Sequence, residues 1–479
     1  MNLRYLKWMI LCMSLPAYAQ VSFFNEVYIN EALGSSLHQV IIEDDTSFVS
    51  VGYGGPSLED DGVYLRRVNH SGVELDVNLF SLPYPASPND GEAFVLLDNG
   101  DFIMSCGTDN LVLVRCNAEL DTIWTQLIPG WLINDIGYIV GGMEMINSTE
   151  FVIISVPENS NESDLYHLRL TTCSVDGIVV DDVMLPGLSV SIGLGGSLIL
   201  PNNDLLLWGS YRQWDNWNDT QLFMYRINID GDSLGFYSWG NADDCRDRGP
   251  HCTLINENTV AVSYGLCTEF ISTFDNMCED HLMYFDVATM LPVSDVPRSI
   301  SYLQNSHTTV AYMDSEKSVD GGLVSLVFER TSNIRDTCFV IKTDAGGIMQ
   351  WYKQYYPEIE PAIANNVLYD IKPTQDGGYV MSGECVLLEG GQYNWIVKID
   401  SCGYELPGAC YPDLIEEQQI MVNLWPNPAH DYLKAILPFN AHIFFVPQYS
   451  NSCLCLYVPL CASVCHCVPS FPQRQEKEA

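Results

Sequence analysis

The chain has 479 residues, with Lys+Arg 21 against Asp+Glu 61 and a formal net charge of −40. A surface this acidic repels phosphate backbones, which excludes nucleic acid as the main partner, and it serves solubility before any specific function. With 47% hydrophobic residues, 35 Gly and 26 Tyr, the composition is that of a folded, turn-rich protein and not of a disordered acidic one.

Residues 1–19 read as a cleavable secretory signal. Arg4 and Lys7 supply the positive start, Trp8 to Leu15 is apolar, Pro16 breaks the run, and Ala17-Tyr18-Ala19 offers the small residues for cleavage after Ala19. The apolar run is far short of the roughly 20 residues that span a bilayer, and no later stretch is long and apolar enough to do so.

From Gln20 to Cys410 the sequence repeats with a period of about 55 residues. One ladder of copies is a turn rich in Asp, Asn and Gly that feeds a short apolar strand. It runs through Phe48-Val49-Ser50, Phe102-Ile103-Met104-Ser105, Phe151 to Ser155, Leu205 to Gly209, Val260 to Ser263, Leu323-Val324-Ser325 and Asp376 to Gly383. A second ladder follows it in step: a strand ending in a basic residue, then Asp/Asn-x-x-Gly. Lys398 to Gly403 is the clearest copy, Lys342 to Gly347, Arg226 to Gly231 and Arg67 to Gly72 match well, Arg115 and Arg169 begin weaker ones, and Tyr284 takes the basic position in the fifth.

Strand-length apolar runs bounded by turn formers, with no helical periodicity, predict an all-β chain. A unit of this size is one small antiparallel sheet, which cannot bury both its faces alone. Seven units packed radially can, so the pattern predicts a seven-bladed β-propeller. The last repeat lacks an outer strand, and Val21 to Tyr28 is expected to supply it and close the ring.

The repeats also carry candidate site residues. Trp208, Tyr211, Trp214 and Trp217 crowd a polar loop, a composition that suits glycan or protein binding or, equally, a cap on the edge of a blade. Asp230 and Asp232 make the turn after Asn228 oxygen-rich enough for Ca²⁺, although a plain turn is the preferred reading. Gly193-Leu194-Gly195-Gly196-Ser197 reads as a turn entering the fourth repeat. No nucleophile elbow, metalloprotease helix or P-loop occurs, so no catalytic residue is assigned. Of 17 Cys, the neighbours Cys245/Cys252, Cys267/Cys278 and Cys402/Cys410 are near enough in sequence to close short loops. Their spacings match no zinc site.

After the repeats come a linker, 411–420, a strand-like segment, 421–438, containing Trp425-Pro426-Asn427-Pro428, and a Cys-rich tail, 439–479, expected to be disordered. Asp376 to Gly383 followed by Trp395 to Gly403 resembles the repeats of secreted Bacteroidota propeller proteins. Leu424 to Leu433 resembles the opening strand of the type IX secretion C-terminal sorting domain, and the tail departs from that domain's pattern. The resemblance implies two export steps, type IX machinery as a partner, and a secreted or outer-surface location, or a periplasmic one where the altered sorting segment fails. The expected function is a non-enzymatic binding module for an extracellular protein or glycan, without a required cofactor. The alternative is a propeller-fold glycoside hydrolase or polysaccharide lyase, which needs carboxylates, or a His with a carboxylate, converging at the axis.

Overall fold

The computed structural model describes the strands and short turns between 23 and 405, together with 433–436, 442–448, 451–458 and 461–467. The signal residues Ala17 and Ala19, the motif Trp425 to Pro428, and Trp214 and Trp217 lie outside the described residues. Every described element is a strand or a turn.

Residues up to 410 form one unit, a seven-bladed β-propeller, and 411–479 belong to another. Blade 1 comprises Gly34–Ile42, Ser47–Gly55, Gly62–Asn69 and Glu74–Phe80. In blade 2 the first strand is split into Ser87–Pro88 and Phe94–Leu96, before Phe102–Gly107, Leu111–Cys116 and Thr122–Ile128. Blade 3 is Tyr138–Asn147, Glu150–Pro157, Arg169–Ser174 and Val179–Met184. Blade 4 is Ser191–Ile199, Leu205–Arg212, Thr220–Ile227 and Ser233–Trp239. Blade 5 is Arg248–Asn256, Thr259–Phe270, Asn276–Asp286 and Leu291–Arg298. Blade 6 is Thr308–Lys317, Leu323–Thr331, Thr337–Thr343 and Met349–Tyr355. Blade 7 takes Ile363–Pro373, Tyr379–Leu387 and Gln392–Ile399 from the end of the repeats.

The fourth strand of blade 7 comes from the N-terminus, as expected. Phe24–Tyr28 pairs antiparallel with Gln392–Ile399, from Phe24 opposite Lys398 to Tyr28 opposite Asn394. Phe24 joins Phe48 and Tyr64 of blade 1 in a buried cluster, and the Tyr28 hydroxyl donates to the Gly72 carbonyl at 2.6 Å. The two ends of the repeat array are thereby held in one sheet.

First strands line the axis, where they touch the first strands of neighbouring blades, and fourth strands face solvent. Apolar clusters fill the seams between blades; that between blades 4 and 5 gathers Leu206, Trp208, Val260 and Phe285. The seam between blades 5 and 6 is thinner in apolar side chains, with Ala261, Leu282 and Leu323, and a Ser263–Ser325 hydroxyl bond of 3.0 Å crosses it.

The two ladders of the repeat turn out to be one interaction. In blade 7 the Lys398 ammonium, fully buried, pairs with Asp376 at the turn before the second strand. Lys342 meets Asp320 at 2.8 Å in blade 6, and Arg226 donates from Nε to Asp204 at 2.9 Å in blade 4. These three pairs share a separation of 22 residues. Arg115 and Asp101 form the same pair in blade 2, at 2.6 Å. Both arginines also reach across a seam: Arg226 Nη1 donates to Val287 O at 2.8 Å, and Arg115 Nη1 to Val175 O at 3.1 Å. Blade 3 departs, with Arg169 held by Asp182 on its fourth strand, and in blade 5 Tyr284 carries no charge to pair.

The turns are of one geometry as well. Gly377 N–H donates to Thr374 O and Gly403 N–H to Asp400 O, each glycine at a positive φ of 83° and 79° that a β-carbon would resist.

One sequence reading changes. Gly193 to Ser197 lies inside the first strand of blade 4 and is not a turn. A β-carbon on Gly196 would sit 2.5 Å from the Trp208 ring, so the glycine is there for close packing within the sheet. Downstream of the propeller, Leu433–Ile436, His442–Gln448, Asn451–Val458 and Cys461–Cys467 pair in one antiparallel sheet. Its β-branched and aromatic runs carry strand preference. Of the cysteines, Cys402 is disulfide-bonded, Cys267 and Cys278 stand opposite each other in register, and Cys252 is buried in the core between blades 4 and 5.

Replacing Asp376 alone by Leu should cost about 3–5 kcal/mol, because it strands the buried Lys398 charge. The double variant Asp376→Leu/Lys398→Met should recover most of that loss. Urea midpoints at unchanged slope measure both.

Candidate functional site at the propeller axis

The innermost strands share a local irregularity. In six blades the pairing of the first strand with the second shifts register at the equivalent point, and the residue after the shift is Gln39, Gly142, Gly196, His251, Asp314 or Asp370. A bulge of this kind re-aims the side chains that follow it. Blades 3 and 4 place glycine at this level, whereas the consecutive blades 5, 6 and 7 place His, Asp and Asp.

Those three blades build a charged cluster around the axis. His251 Nε2 lies 3.3 Å from Asp314 Oδ1. Asp314 Oδ2 is 3.3 Å from the Lys372 ammonium and accepts the Ile371 N–H at 2.9 Å. Lys372 also reaches Glu316 at 2.5 Å and Asp370 at 3.0 Å. One ammonium thus faces three carboxylates, and the His251 and Asp314 side chains are only 8% and 4% exposed.

Burial, reinforced by the nearby Lys372 charge, pushes the His251 imidazole down to about 3 against the opposing pull of Asp370. It is therefore neutral at physiological pH, with Nε2 the ring nitrogen beside Asp314. Its Nδ1 has no hydrogen-bond partner among the described residues. Trp208 supplies much of the burial: its ring meets that of His251 edge-on, with centroids 5.6 Å apart.

A second ionisable group stands on the other side of the axis. Glu144 follows Gly142 by two residues, as Glu316 follows Asp314 and Lys372 follows Asp370, and all three oppose a second-strand valine: Val152, Val324 and Val380. In a ring of seven, blade 3 faces blades 6 and 7. The Ser197 hydroxyl donates to Glu144 Oε1 at 3.0 Å, and burial outweighs that bond and one from the Ile199 backbone to raise the carboxyl to about 8. A β-carbon on Gly142 would fall 2.1 Å from Ser197 Oγ, so the bond exists because blade 3 is bare there.

The residues singled out from sequence fare differently. Trp208 is fully buried in the core and is not a surface platform; its strand is apolar on both faces because a blade lies on each side. Tyr211 is partly buried, bonded to Gln221 and tilted against Phe223 at 6.4 Å. Asp230 and Asp232 sit on an ordinary turn, where Asp232 N–H donates to Asn228 Oδ1 at 2.7 Å. No group of three or more metal-ligating side chains occurs among the described residues. Sequence reasoning missed His251, Asp314, Asp370, Lys372, Glu316 and Glu144 as a site, and no local sequence signal marks them.

No family model matches the chain, and no curated protein does. Solved structures similar to it include an α-L-arabinofuranosidase of Fusarium graminearum, 12% identical over 64% of this chain and 91% of that one, with a TM-score of 0.42. A sialidase from Streptococcus pneumoniae is 10% identical over 81% of this chain and 72% of its own, with a TM-score of 0.41. The β-propeller domain of a protease from Pyrococcus furiosus is 7% identical over 77% and 95%, with a TM-score of 0.41. Likenesses of this size carry no argument about function.

Because the folded chain holds the Glu144 proton up to about pH 8 and the unfolded chain releases it near pH 4.5, this group weakens the fold as pH rises through that window. Glu144→Gln removes the effect. The gain in urea midpoint over the parent should therefore grow from pH 5 to pH 8.

Proposed function

We propose that this chain is an exported, non-enzymatic binding module whose axial cluster is the recognition centre for a glycan. The observation that carries the reading is the convergence of His251, Asp314, Asp370, Lys372 and Glu316 on three consecutive innermost strands. Fixed charged groups in a low-dielectric site hold hydroxyl groups in defined orientations. The same pairing argues against acid–base work there: the carboxylates share one ammonium, and an imidazole held neutral down to about pH 3 does not exchange a proton at neutral pH.

One observation favours the alternative, a carbohydrate-active hydrolase. Glu144, raised to about 8, keeps its proton at neutral pH as a general acid must, with carboxylates on the facing blades.

Export rests on the signal over 1–19 and the motif Trp425 to Pro428. Together they support passage through the inner membrane and then, by type IX machinery, to the surface or beyond.

Two measurements test these readings. A glycan array read with the parent, Lys372→Met and the Trp214→Ala/Trp217→Ala pair should give binding that Lys372→Met abolishes, and release of reducing ends from the bound glycan would instead establish the hydrolase. Mass spectrometry of protein from the native host should find a mature N-terminus at Gln20 and no peptides from the sorting segment.

A further inference from the structure

We infer that the axial site takes a neutral hydroxylated ligand and rejects acidic ones, with Glu144 as the wall opposite Lys372 and Glu316. The inference rests on the glycan-binding reading and narrows it to uncharged oligosaccharides.

The charge count is the first argument. Asp314, Asp370 and Glu316 bring three formal negative charges and Lys372 one positive, while His251 is neutral. The cluster is left with a net negative charge, inside a chain of net charge −40. An anionic sugar meets repulsion at long range and at contact.

The second argument is the commitment of the basic residues. Lys372 is bound by three carboxylates. Arg115, Arg226, Lys342 and Lys398 are held at the blade turns, Arg66 by Glu74 and Arg169 by Asp182. Lys317 donates to Ile255 O at 2.6 Å, and Lys353 lies over the Tyr404 ring. Each cation of this set is engaged; Arg248, on the innermost strand of blade 5, stands outside it.

The third argument is what the far wall offers. Glu144 shares its level of the first strand with Lys372 and Glu316 and sits across the ring from them. Its carboxyl accepts from the Ser197 hydroxyl at Oε1 and from the Ile199 backbone, which anchors it on blade 4. A protonated carboxyl is a donor as well as an acceptor, which suits a hydroxyl and needs no counter-charge. His251 Nδ1, buried and without a described partner, adds a polar atom within the charged half.

Calorimetry with uncharged laminarin- and arabinan-derived oligosaccharides, beside polygalacturonate and sialyllactose, tests this. The parent should bind an uncharged probe and neither acidic one. Glu144→Ala should weaken that binding by about tenfold, the scale of one hydrogen bond, while Glu144→Gln stays within about twofold. If Glu144→Ala lowers the melting temperature, Glu144→Asp carries the test, since it keeps the carboxyl and withdraws it by one methylene; it should bind more weakly at an unchanged melting temperature. Binding of either acidic probe overturns the charge selection, and unchanged affinity in Glu144→Ala or in a stable Glu144→Asp overturns the role of Glu144. Loss of binding in Lys372→Met with none in the Glu144 variants leaves the glycan reading standing and sinks this one. No binding of any probe by the parent sinks both.

Discussion

The architecture depends on one ion pair repeated in four of the seven blades: an acid at the turn before the second strand and a base near the end of the third. A buried pair adds little net stability compared with apolar side chains of the same volume, because desolvation cancels most of the attraction. Its effect is on uniqueness. Sliding the third strand by one residue would turn the buried Lys398 from its partner and send its neighbours to the wrong face. The pair thus makes a small, weakly patterned sheet adopt a single register, and the arginine copies extend the same constraint to the next blade through Val175 and Val287.

Ring closure applies the same logic at larger scale. Blade 7 is one strand short, and its exposed edge would be a template for wrong partners. Phe24–Tyr28 fills that edge and packs on blade 1, so the first and last repeats share one sheet. The loop-closure entropy of joining the two ends is set against a strand's worth of hydrogen bonds and the burial of Phe24.

The axial site grows where these structural rules relax. Blade 5 has Tyr284 in place of the paired base, and its seam with blade 6 is the one bridged by serines and a lysine–carbonyl bond. In that setting His251 and Asp314 face each other without displacing a continuous apolar cluster. The opposite side of the ring is bare at the same level, since Gly142 and Gly196 yield their space to Ser197 and Trp208. A sevenfold repeat has thereby become two unlike halves, one charged and one carrying a single carboxyl.

Much of the fold was legible in the residues. The turns at Asp376-Gly377-Gly378 and Asp400 to Gly403, the strand cores behind them and the basic residue in between repeat in step, and local propensity alone is enough to place strands, count blades and foresee the role of the N-terminal strand. Gly193 to Ser197 was misleading for a local reason: glycine marks both turns and close packing, and only the neighbour decides which. Trp208 read equally as a platform or as a cap on a blade edge, and its burial depends on what blade 5 lays against it. The axial residues had no local mark, since His251, Asp314 and Lys372 stand roughly 60 residues apart from one to the next, one blade each. The sequence determined the number of blades and how each is built, because those follow from turns and strands of short range. Only the tertiary structure decided that a histidine, three carboxylates and a lysine meet at the axis, because that meeting requires the ring to close.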